Sequence, residues 1–343
     1  MRHLNFDSNS HVEAIDSGGR DDTRLVRFLR PKASDPQVVL GIALAFLTAL
    51  ISGVSVFVNA YAIKEFSSPT LFATLKNTIV GIVLLALLLR PAAFQQVRQL
   101  TPRRGLGLVL LGVVGGSIPF VLFFEGLSQV GSGSGAFIHK TMFIWVAVLA
   151  VILLRERLGK GQLAALALLL LAQFLLGGPE ALVPGWGVAM VLGATLLWAA
   201  ETVFARRILH TESSSLGAAG RMAVGASLLL GYLAFRGEIG TLWHLTPVQW
   251  TWGFATSLLL LGYVLSWYAA LKRVPAATVT CVLTVGAPIT AVLSVLAGME
   301  LPRLEQITGF GVLALAVLLI VLVGARKPAP AAQSPGLGLT GGG

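Results

Sequence analysis

Apolar positions in this chain neither alternate along strands nor mark one face of amphipathic helices. They come in blocks of about 20 residues, each closed by proline, glycine or charge. Ten blocks meet that length, at 37–62, 69–89, 105–128, 132–154, 161–178, 185–206, 214–235, 247–271, 275–298 and 304–324. At a helical rise of about 1.5 Å per residue such a block covers the roughly 30 Å hydrocarbon core, so the pattern predicts ten membrane-crossing helices, numbered here spans 1 to 10.

Composition agrees: 55% of the 343 residues are hydrophobic and 12% charged, and the mean hydropathy is +0.83. The chain is expected to be an all-α, multi-pass protein of the cell (inner) membrane. The single cysteine, Cys281, rules out an intrachain disulfide and argues against a cysteine metal site. The first 36 residues hold no apolar run of the signal-peptide kind, and they and residues 326–343, rich in Pro, Gly and Ser, are expected to be disordered tails.

The net charge of +10 invites a nucleic-acid reading, but the distribution speaks for topology. With the amino terminus inside, the cytoplasmic segments collect the tail cations, Arg90, Arg98, Arg103, Arg104, Arg155, Arg157, Lys160, Arg206, Arg207, Lys272, Arg273, Arg326 and Lys327, against Lys64, Arg236 and Arg303 on the other side. Both termini are therefore expected in the cytoplasm, with no nucleic-acid partner. A shift of 144 residues superposes spans 1–5 on spans 6–10, matching Gly41 with Gly185, Leu127 with Leu271, Glu156 with Glu300 and Gln162 with Gln306. An odd number of spans per repeat makes the halves insert in opposite senses, predicting a five-plus-five inverted repeat over 37–180 and 181–325.

Two stretches make the chain recognisable. Residues 267–321, with "ALKRVPAATV" before span 9, Pro288 within it and "GMEL" around Glu300, closely resemble the second repeat of the EamA-type ten-helix carriers of the drug/metabolite transporter superfamily. "RERL" at Glu156 is a fainter first copy. The resemblance implies a carrier of small metabolites such as amino acids, nucleobases or drugs, mostly exported. It also implies that spans 1, 3, 4, 6, 8 and 9 surround the cavity while spans 5 and 10 pack outside. Two departures fall in span 4, where His139 and Lys140 stand against Leu283 and Thr284, and Ile144 stands against Pro288.

A charge at membrane depth costs at least about 2.5–3.5 kcal/mol, so it faces a cavity, finds a partner or snorkels to the headgroups. The candidates are Lys76, Glu125, His139, Lys140, Glu201 and Arg221. Lys76 and Lys140 lie about 10 Å below one membrane face and Glu125 nearer to it, so Glu125 is expected to offset one of the two lysines, leaving a cation for a substrate carboxylate. Glu201 and Arg221 are expected to form a pair near the opposite face, and Asn77 maps onto Arg221 under the shift. Both pairs then act as alternating gates. His139 reads equally as a structural or a functional residue, and Glu156 and Glu300 as structural loop residues. Asn59, Trp198, Tyr263 and Trp267 are further candidates, Trp198 and Tyr263 as cavity wall or as helix packing, Tyr263 and Trp267 on one face.

The sequence thus points to a secondary transporter of small amphipathic solutes working by alternating access, with small-molecule and lipid partners. No cofactor is expected; Glu125, Glu201 or His139 are equally able to carry a coupled proton or to serve as fixed charges. No P-loop is present, which argues against direct ATP drive. A lipid-handling or accessory protein of the same fold is the alternative. An intramembrane enzyme is a distant third: there is no H-E-x-x-H, no aspartate follows Asp35, and a serine dyad with Lys140 or His139 is its remaining route.

Overall fold

The computed structural model describes residues 35–130, 132–177 and 184–324. The expected tails lie outside the described residues, apart from Asp35 and Pro36. Among the described residues ten helices are long and apolar enough to cross a membrane: Pro36–Glu65, Pro69–Leu88, Pro102–Leu127, Gly135–Leu153, Lys160–Gly177, Trp186–Ile208, Ser214–Phe235, Pro247–Arg273, Ala276–Leu296 and Leu304–Val323. These are spans 1 to 10, and no strand accompanies them among the described residues. Two short elements fall between blocks, a helix at Pro91–Arg98 and a 3-10 turn at Ile239–His244.

Local chemistry sets where spans begin. Asp35, Ser68 and Thr246 each precede a proline at the first helical position, and each side chain accepts a backbone N–H of the first turn, from Gln37, Leu71 and Gln249 respectively. The proline loses nothing there because its missing N–H has no intrahelical partner in any case.

Packing repeats under exchange of the halves. Span 8 lies on span 1 as span 3 lies on span 6, span 9 on span 1 as span 4 on span 6, and span 7 on span 3 as span 2 on span 8. Spans 2 and 7, 4 and 9, and 5 and 10 pair with each other. This is the pattern of a two-fold inverted repeat. The ends of the bundle are distinguished here as the Glu300 end, with the odd-numbered connections, and the Glu212 end, with the even-numbered ones.

Three spans are broken. Span 3 breaks at Ser117, between Pro102–Gly116 and Ile118–Leu127. Span 4 breaks at Thr141, between Ser132–Lys140 and Met142–Leu153, and span 9 between Ala276–Leu283 and Gly286–Leu296. Under the 144-residue shift the last two breaks coincide, although only span 9 has a proline nearby. Lys140 therefore ends a helical segment, where the partial negative charge of the free carbonyls favours a cation by about 0.3–1 kcal/mol.

Candidate functional site

The proline at 119 shapes the first part of the site. Without an N–H it leaves the Gly115 carbonyl, four residues back, with no helical donor. Two side chains supply donors instead: Arg221 Nη2 at 3.1 Å and Trp198 Nε1 at 3.1 Å. Arg221 also places its Nε 3.5 Å from Glu201 Oε1, an ion contact longer than a close hydrogen bond. Tyr268 donates its hydroxyl to the same carboxylate oxygen at 2.5 Å. Glu201 is 3% and Arg221 9% exposed, so the pair is held inside the bundle. Only glycine fits at 115, since an added Cβ would stand 2.3 Å from Glu201 Cγ. The expected Glu201–Arg221 contact is thus present, joining spans 6 and 7 with support from spans 3 and 8.

Trp198 links this cluster to a cavity. Its ring lies 4.9 Å from that of His139, 5.5 Å from Phe123 and 5.3 Å from Phe120. Phe123, His139 and Lys140 line a cavity of about 670 Å³. Span 9 contributes Thr280, Thr284, Thr290 and Ser294, span 1 Ser52 and Val56, and the Glu300 end Met299, Glu300 and Pro302. Among the described residues no hydrogen bond or ion pair engages the Lys140 ammonium. His139 Nδ1 and Gln173 Oε1 are buried there without a hydrogen-bond partner.

Two expectations need correcting. Glu125 does not offset Lys76 or Lys140: it accepts the Tyr232 hydroxyl at 3.0 Å, beside a separate cavity of about 290 Å³ that also holds Arg236 and Glu238. Lys76 instead donates to Asn59 Oδ1 at 3.0 Å and lies 4.7 Å from the centre of the Phe72 ring. The reason is rotational: Lys76 faces span 1, and Glu125 projects toward span 7. Nor do spans 5 and 10 stand wholly outside the cavity, because Gln173 and Leu176 of span 5 and Gln306 and Phe310 of span 10 form part of its wall. Among the described residues, spans 6 and 8 contribute no side chain to that wall.

The remaining candidates separate as follows. Asn77 donates to the Ala73 carbonyl at 2.7 Å, within its own helix. Tyr263 and Trp267 stack at 6.0 Å as part of the core packing, and Trp198 packs behind the cavity wall through His139. Glu300 lines the cavity mouth where a purely structural loop residue was expected. The sequence reading missed Gln173, although it is the one amide in an otherwise aliphatic stretch, LAALALLLLAQFLL. It also missed Glu212, 7% exposed, which meets Arg104 at 3.3 Å and accepts Lys272 Nζ at its carbonyl at 2.8 Å. With Arg206 bonded to the Leu271 carbonyl, these contacts tie spans 3, 6 and 8 together at the Glu212 end.

Comparison with known proteins agrees with this architecture. A solved crystal structure, 17% identical, aligns over 83% of this chain and 98% of its own with a TM-score of 0.67, a likeness of fold. No curated protein matches the chain. The sequence matches the EamA-like transporter family twice, over residues 39–178 and 185–322. Ten apolar spans make it a multi-pass membrane protein in a lipid environment. The chain belongs to the EamA-like transporter family, membrane transporters of the drug/metabolite transporter type that act on small molecules.

Proposed function

We propose that this chain is a secondary carrier that exports small amphipathic solutes, such as amino acids, across the cell membrane by alternating access, with the cavity beside Lys140 as the solute site. The observation that carries the proposal is the Lys140 ammonium, without a partner among the described residues, on the wall of a cavity of about 670 Å³. A cation at membrane depth without a protein partner is costly unless water or an anion reaches it. A substrate carboxylate meets that need, and Phe123, Phe143 and Met142 offer an apolar surface for the rest of the solute.

Alternation finds support in the asymmetry of the two ends. The cavity wall extends to Met299 and Glu300, whereas Glu212 and the Glu201–Arg221 pair bind spans together toward the other end. With both termini cytoplasmic, as the Lys and Arg distribution favours, this state opens outward. Return to the opposite state requires the Glu201–Arg221 contact to part. The test is counterflow of L-phenylalanine and other amino acids in proteoliposomes, with and without a proton gradient. Lys140→Gln should lower counterflow at least about tenfold and Lys140→Arg should retain most of it. Equal activity in all three proteins would remove Lys140 from the solute site.

A further inference from the structure

The cavity wall is unusual in what it offers a ligand. A hydroxyl carries one proton, and three threonines of span 9 have already committed theirs to backbone carbonyls. Thr280 donates to Ala276 O at 2.5 Å, Thr284 to Cys281 O at 2.6 Å and Thr290 to Gly53 O at 2.9 Å. All three line the cavity, and each hydroxyl oxygen keeps a lone pair able to accept. Span 5 adds Gln173, 2% exposed, whose Oε1 accepts no hydrogen bond among the described residues. Against these acceptors stands the Lys140 ammonium, with Ser52 and Ser294 able to turn either way. A buried acceptor left unmatched is destabilising.

We infer that Gln173 is a specificity-determining residue of the carrier: its side-chain oxygen receives an N–H of the transported solute while Lys140 holds the anionic group. The inference rests on the reading of this cavity as the solute site and extends it. A solute that fits carries an anionic group and an N–H donor; an anion lacking the donor leaves Gln173 unmatched. Discrimination by such a site is strong because the penalty falls on buried polar groups of the protein, as well as on the missing contact. A helix that the family resemblance places outside the cavity thereby supplies a recognition residue.

Three congeners separate the two contacts: L-phenylalanine has both groups, 3-phenylpropionate lacks the amine, and phenethylamine lacks the carboxylate. Binding of each to the purified full-length protein in detergent micelles is measured by titration calorimetry. The wild type should prefer phenylalanine over phenylpropionate by at least about tenfold, the size expected for one hydrogen bond to a charged donor. Gln173→Leu should collapse that preference to within about threefold, with phenylpropionate binding unchanged, whereas Lys140→Gln should weaken both ligands. Gln173→Glu, which adds a carboxylate, should strengthen phenethylamine binding, and it tests the same contact should the leucine variant fail to fold. If phenylalanine binding depends on Lys140 but Gln173→Leu leaves the preference intact, or weakens both ligands equally, the inference falls and the solute site stands. If the wild type binds none of the three, both fall together.

Discussion

Arg221→Met strips the buried Glu201 carboxylate of its countercharge while keeping a side chain of similar reach between spans 3 and 7. The size of the effect follows from what remains. Tyr268 still donates to Glu201, and the Gly115 carbonyl still accepts from Trp198, so neither of those groups is orphaned. What is lost is the 3.5 Å ion contact at a site where the two side chains are 3% and 11% exposed. Removing one member of a buried pair costs about 3–5 kcal/mol, because the survivor is left as an uncompensated buried charge. Glu201→Gln keeps an oxygen for Tyr268 and strands the guanidinium instead, with a similar penalty. The double variant, Glu201→Gln with Arg221→Met, buries no charge and should lose only about 1–3 kcal/mol, the scale of unmatched hydrogen-bonding groups. The two sites should therefore couple by at least about 2 kcal/mol in a double-mutant cycle. Reversible unfolding in mixed micelles, followed by tryptophan fluorescence, measures all four proteins. Single-variant losses under about 1 kcal/mol that simply add, within about 0.5 kcal/mol, would refute the reasoning.

Two further outcomes follow from the same geometry. Gly115→Ala should lower stability by about 1–3 kcal/mol through overpacking against Glu201, seen as a lower melting temperature in detergent, whereas Gly105→Ala, whose added Cβ meets nothing within 4 Å, should cause no loss. Exchanging the charges in Lys76→Glu with Glu125→Lys should restore none of the stability lost in the singles, since each residue has a different partner; Asn59→Leu, by contrast, should cost about 1–3 kcal/mol by leaving the Lys76 ammonium unmatched, and a rescue by the exchange would reinstate the Glu125 pairing.

The fold was legible because hydrophobic length is a one-dimensional signal, and the repeat because Glu156 and Glu300 stand out where carboxylates are scarce. Glu201 and Arg221 were found together because similar depth on adjacent helices nearly decides a partner for groups this expensive to bury. Lys76 and Glu125 also shared a membrane half, yet depth alone does not give the rotational setting of a helix, and that setting turned Lys76 to Asn59. Gln173 was hidden differently. The family resemblance puts its span outside the cavity, and one amide in the apolar run 163–176 changes the average little while deciding what the wall offers. Arg221 and Trp198 meeting at the Gly115 carbonyl was readable in principle from Pro119, which announces a free acceptor but not who answers it.

The matched breaks in spans 4 and 9 bear on mechanics. A continuous helix resists bending because each degree of hinge strains a ladder of bonds, but here the ladder is already interrupted beside Lys140 and beside Thr284. Each of these spans is two rods meeting at a joint, and the joints lie at equivalent points of the two inverted halves. Thr141 closes its joint by accepting from Ile144 at 2.9 Å and donating its hydroxyl to Ile138 O at 2.7 Å, short-range bonds that travel with the joint. Under the proposed alternation, bending at these joints would break no further ladder bond, so the cavity would carry its own articulation next to its charge.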